Sequence, residues 1–206
     1  MDTDILLERK NSSTFSHFHD QGWLKHMGMT LLYTMTQAPQ PIFGFATATG
    51  ITILYKVLPE KYSGTSLITS ATSASSSFLG TRVDTALRFS GTLLEFPNPK
   101  ILTAFFLWKQ NQNKSLMVQS LALDALISQG HSVQKAQETM HALGSAAAKL
   151  DLISEFLGED PLPQWRTNGV AAYWVPREEG IRLTLHQELP AGPDFLTFMI
   201  DIFDQE

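Results

Sequence analysis

Apolar positions along this chain fall into two rhythms, one helical and one of strands, and their order sets the expected fold. From Gly22 to Met35 they recur at Trp23, Met27, Leu31 and Thr34 or Met35, with a second row at Leu24 and Leu32, which is helical spacing. Pro39 and Pro41 end that run, because two prolines in three residues cannot continue a helix. Beyond them Ile51, Ile53, Tyr55 and Val57 alternate with Thr52, Leu54 and Lys56, which predicts a strand over 51–58. Residues 42–48 can pair with that strand through Thr49-Gly50.

Ten of the fifteen residues from Ser63 to Ser77 are Ser or Thr, the composition of a linker. Yet Leu67, Ile68, Ala71, Ala74, Phe78 and Leu79 keep a helical stripe, so the spacing predicts a small-residue helix packed closely on a neighbour. Residues 81–96 fit either element. Leu87, Phe89, Gly91 and Leu93 alternate as in a strand, while Val83, Ala86, Leu87 and Leu94 fit a helix.

Lys100 to Leu157 reads as helical, in three units that each start at a serine and stop at a glycine. Ser115 caps 116–129 before Gly130, Ser132 caps 133–143 before Gly144, and Ser145 opens 146–157 before Gly158. The first unit is apolar nearly all round and is therefore expected at the centre. Val170 to Val175 reads as a strand, Pro176 to Gly180 as a turn, and Ile181, Leu183 and Leu185 as a second strand with one wet face. The tail from Phe195 to Phe203 fits a strand or a short helix, dense enough in apolar residues to dock. Helices grouped together rather than alternating with strands predict an α+β fold, a central helical block packed on a small, mostly antiparallel sheet. The expected organisation is one domain over 1–206, with a helix-rich block at 100–157 and a C-terminal β-hairpin region at 165–190.

Composition narrows the function. The 206 residues carry 15 basic and 20 acidic groups, a net charge of -5, which argues against a general nucleic-acid binder. Cysteine is absent, and with it disulfides, thiol catalysis and cysteine-ligated metals. No apolar stretch approaches the ~20 residues that span a bilayer, and the acidic start Met1-Asp2-Thr3-Asp4 is unlike a signal peptide. The expectation is a cytoplasmic protein without a membrane role. Residues 151–206 hold three basic against eleven acidic groups, a negative quarter that could steer a basic partner or simply keep the surface hydrated.

Motifs for chemistry are missing. No Gly-x-Ser-x-Gly elbow, P-loop or dinucleotide fingerprint occurs, so no catalytic residue and no cofactor are expected. His17 and His19 share one face if their segment is a strand, and are the candidates for metal ligation against the blander reading of an exposed polar loop. His186 and Glu188 share a face in the same way, and such pairs on hairpins are usually surface decoration. Trp165, Arg166, Asn168, Tyr173 and Trp174 form a group rich in the types enriched at binding hot spots. The leading expectation is therefore a non-catalytic interaction protein, of the adaptor, chaperone or inhibitor kind, that docks another protein through its acidic last quarter. The alternative is a small-molecule-binding protein or enzyme whose pocket lies between the sheet and the 116–129 helix, lined by Phe43, Phe45, Phe105, Phe106 and Trp108. A second alternative is metal binding through His17 and His19.

Overall fold

The computed structural model describes residues 21–37, 39–55, 62–157 and 164–204, together with the backbone of 2–6. Six strands form one sheet in the order β4-β1-β3-β2-β5-β6, with every neighbouring pair antiparallel. They are β1 (Asp2–Leu6), β2 (Phe43–Ala46), β3 (Gly50–Leu54), β4 (Arg88–Thr92), β5 (Val170–Arg177) and β6 (Gly180–His186). Seven helices among the described residues pack around it: α1 (Gln21–Met35), α2 (Gly64–Val83), α3 (Pro99–Ser128), α4 (Val133–Leu143), α5 (Ala146–Leu157), α6 (Gln164–Asn168) and α7 (Pro193–Asp204). The fold is α+β.

Strand alternation divides the core. Gly44, Ala46, Ile51, Ile53, Val170 and Ala172 turn toward α1, whose Trp23, Met27, Leu31 and Met35 are buried against them. A Cβ on Gly44 would lie 2.6 Å from Leu31 Cδ1 and 2.9 Å from Met35 Sδ, so glycine is what lets α1 sit so low on the sheet. Phe43, Phe45 and Ala171 turn the other way, onto Phe106 of α3 and Phe195 and Met199 of α7.

The serine-rich stretch is a helix, as its stripe predicts. Ser63 caps α2 by accepting from the Ser66 amide at 3.1 Å. The buried row runs Leu67, Ala71, Ser75, Leu79, Val83, a strict four-residue step. Ser75 belongs to it because Thr34 Oγ1 already donates to the Thr30 carbonyl, so the Ser75 hydroxyl donates to Thr34 at 2.9 Å across the α1–α2 contact. The ambiguous stretch that follows splits between the end of α2 and β4.

The helical block differs from its expected boundaries at one end. Helix α3 begins at Pro99 and runs 30 residues without a break at Ser115. Asn98 Oδ1 accepts from the Ile101 amide at 3.0 Å and Pro99 occupies the first turn, which is already a complete helix start. Ser115 is exposed on the running helix, where its hydroxyl accepts from Gln119 Nε2. The other two starts hold, with Ser132 accepting from Lys135 and Ser145 from Ala148. Residues 170–186 form the expected hairpin, with Glu178-Glu179 as its two-residue turn, and the tail is helical.

Candidate functional site

Two cavities lie one after the other along β3 and α3, and together they make up a β3–α3 cleft. One end is a groove of about 570 Å³ walled by Leu54, Tyr55, Phe96, Leu102, Phe105 and Phe203, a size that suits a small molecule. Its polar groups are few: Thr52 of β3, Glu95 and Asn98 from the loop before α3, and the Tyr55 phenol. Burial pushes Tyr55 up to about 12, so its hydroxyl keeps its proton at physiological pH. Phe105 holds the wall together, 5.0 Å from the Phe96 ring, 5.6 Å from Phe106 and 5.8 Å from Trp108.

The other end is a polar notch of about 170 Å³ lined by Thr47, Thr49, Gly50, Lys109, Gln112 and Asn113. The β2–β3 turn that forms its floor is fixed in two ways. Thr47 N–H donates to the Gly50 carbonyl at 2.9 Å, and the buried Trp23 indole donates to the Ala48 carbonyl at 2.7 Å. The opposite wall is fixed by two buried amides of α3. Asn113 Nδ2 donates to the Arg166 and Thr167 carbonyls at 3.1 and 2.8 Å, and Gln110 Nε2 donates to the Pro190 carbonyl at 2.9 Å. Both protons of the Asn113 amide are thereby used, so in the notch it positions rather than donates.

The two cavities follow one another along the same pair of elements. Tyr55 and Gly50 are five residues apart along β3 and its exit, roughly 17 Å of strand. Leu102 and Phe105 of α3 line the groove and Lys109, Gln112 and Leu116 line the notch, one after another at helical spacing. Phe45 and Phe106, with rings 6.1 Å apart, fill the floor between the ends. On the neighbouring strand β1, Asp4 and Asp2 are in backbone register with Gly50 and Thr52.

The sequence-derived pocket residues are brought partly together. Phe105 and Phe106 line the groove, Phe43 and Phe45 lie buried beneath it, and Trp108 stands 53% exposed on the outside of α3. Lys109, Thr47, Thr49, Tyr55 and Glu95 were not singled out from the sequence. The available signal was the polar run Lys109 to Lys114 interrupting an apolar helix.

The proposed docking group does not gather on one surface. Trp165 packs against the α1 core with the Arg166 guanidinium 5.1 Å from its ring. Asn168 is buried and donates to the Leu189 carbonyl at 2.7 Å. Trp174 packs on the α1 side and donates to the Pro41 carbonyl at 2.8 Å. Tyr173 faces the opposite side, 4.6 Å from the stacked His186 ring, and burial raises its pKa. His17 and His19 lie outside the described residues, among which no group of three His, Asp or Glu could hold a metal ion. No helix among the described residues is long and apolar enough to cross a membrane.

No family model matches the chain, and no curated protein does. Solved structures do. A bacterial tRNA(His) guanylyltransferase (Thg1)-like protein in complex with ATP superposes with a TM-score of 0.60 at 11% identity, over 99% of this chain and 87% of that one. Such a protein in complex with GTP gives 0.57 at 12% identity, over 99% and 86%. This likeness is one of fold. It overturns the leading expectation of a non-catalytic adaptor docking through the acidic quarter, since these two structures that share the fold are nucleotide complexes. The aromatic-pocket alternative agrees better with it.

Proposed function

We propose that this chain is a nucleotide-binding protein that seats ATP or GTP in the β3–α3 cleft. The observation that carries this reading is the succession, along β3 and α3, of an aromatic groove and a donor-lined notch, in a fold shared with two nucleotide complexes. A nucleoside triphosphate is itself divided in that way, with a flat apolar base at one end and a chain of anionic oxygens at the other.

In this reading the base enters the groove against Phe96, Phe105 and Tyr55. Base–aromatic stacking contributes about 1–3 kcal/mol per base and tolerates any base, because each has a π-face. The triphosphate lies toward the β2–β3 turn. There the Lys109 ammonium supplies charge, and the Thr49 hydroxyl and Gln112 amide supply hydrogen bonds. Hydrogen bonds to charged groups contribute about 1.5–3 kcal/mol each. Gln110 and Asn113 hold α3 against α6 and the loop after β6, which keeps Lys109 over the turn without touching the ligand.

Calorimetric titration of the full chain with ATP, GTP and the matching nucleosides tests the reading. Both triphosphates bind, each more tightly than its nucleoside, and the difference shrinks as salt is raised. Absence of heat for either triphosphate at millimolar concentration would overturn it.

A further inference from the structure

Strand β6 ends the sheet, and among the described residues no strand pairs with its outer edge. Its seven residues pair with β5 in unbroken register from Ala171↔His186 to Arg177↔Gly180, so no bulge twists the edge away. Natural sheets protect an edge of this length with proline, lysine, a bulge or a covering element. Gly180 to His186 contains no proline and no lysine, and Arg182 is its one charged side chain. Instead it carries Ile181, which at 71% exposure is the most exposed large apolar side chain among the described residues.

The order of side chains says what fits there. Ile181, Leu183 and Leu185 share the face of the sheet that α1 covers, and Leu185 is where α1 ends its cover, beside Gly28. Arg182, Thr184 and His186 share the other face. The segment is thus symmetric in type about Leu183. An antiparallel copy centred there sets Leu183 against Leu183, Ile181 against Leu185, and Arg182 against Thr184. Every apolar residue meets an apolar one and no like charges stand opposed, as cross-strand pairing requires. Moving the register two residues one way would place Arg182 opposite Arg182, and moving it the other way would set Ile181 against Gln187 beyond the strand, so the centred pairing is the one that matches every apolar residue without facing cations.

We propose that β6 is a homodimer interface, at which two copies of this chain join edge to edge about a two-fold axis through Leu183 into one continuous sheet. A two-fold contact is self-complementary, which is the property the segment has. The interface is remote from the β3–α3 cleft and does not depend on nucleotide binding.

Sedimentation equilibrium of the full chain over a range of concentrations tests it. A species of twice the 22.9 kDa of one chain is expected. Ile181→Lys, at an exposed position that the monomer does not need, should abolish that species while leaving the circular dichroism spectrum unchanged. Thr184→Glu sets a carboxylate opposite Arg182 twice per dimer and should tighten association roughly two- to thirtyfold. Thr184→Arg should weaken it by a similar factor. A single-chain mass at all concentrations would overturn the proposal, as would a dimer indifferent to all three substitutions.

Discussion

The two sides of the sheet solve different problems with different kinds of apolar side chain. On the α1 side, aliphatic and methionine side chains interdigitate beside Trp23: Leu31, Met27 and Met35 settle over Gly44, Ala46, Ile51 and Ile53, and every one is buried. On the α3 side the sheet presents Phe43 and Phe45, answered by Phe106 and Phe195. Rings meet edge to face at 5.1 and 6.1 Å rather than closing side by side, and α3 stands off from β3 far enough to leave the cleft. Glycine and alanine in the strands let a helix settle onto a face and close it, even with a tryptophan on that helix. Large rigid rings in the strands prop it open, and an open face of aromatics beside a lysine is where a ligand can be held.

The contrast can be broken most severely from the closed side. Leu31→Ala, at a fully buried position, should cost about 2–5 kcal/mol in chemical denaturation and leave nucleotide affinity of the folded protein unchanged. Next comes Gly169, which links α6 to β5 with φ +76 and where a Cβ would lie 2.8 Å from the Ala46 carbonyl oxygen. Gly169→Ala should cost about 1–3 kcal/mol by the same assay.

On the open side the expected order reverses, with binding more affected than stability. Phe105→Ala should weaken ATP and GTP binding by roughly ten- to a hundredfold, the loss of one stacking surface, with a smaller fall in Tm than Leu31→Ala gives. Lys109→Gln should weaken the triphosphates about tenfold and the nucleosides hardly at all, which flattens the salt dependence. The smallest effect is on pH dependence. Burial first, and then Arg177, lowers the pKa of His186; burial first, and then Arg82 and Lys25, lowers that of His26. Each imidazole is thus held neutral in the folded chain, so its stabilising share is complete above the unfolded value near 6.5 and is lost as pH falls through and below it. Tm should therefore drop between pH 7.5 and 5, and His186→Phe should make the drop shallower.

Much of the architecture was legible in the chain. The α2 stripe survived its linker-like composition because periodicity reports burial more directly than residue type does. The misplaced start of α3 shows the opposite failure. Ser115 has the chemistry of a cap, but Asn98 and Pro99 provide one 17 residues earlier, and a helix with no breaker between them simply continues. The cleft was half visible. Phe105 and Phe106 were identifiable as a density of rings, whereas Lys109 sat in a polar run that reads as an exposed face. Gln110 and Asn113 in that run are buried, because their amides find carbonyls 53 to 80 residues away. Such partners are set by tertiary structure, and local sequence carries no trace of them. The acidic quarter misled for a related reason: Trp165, Tyr173 and Trp174 look like hot-spot residues, yet each packs against the core on one side of β5 or the other.

The central claim is that nucleotide occupies the β3–α3 cleft from turn to groove. Backbone amide NMR of the full chain titrated with GTP locates the ligand without assuming where it sits. The account predicts shift changes at both ends together, at Thr47 to Gly50 and Lys109 to Asn113 for the phosphates and at Leu93 to Asn98 for the base. Saturable shifts confined to the β5–β6 hairpin or the outer faces of α4 and α5, with the cleft silent, would contradict it.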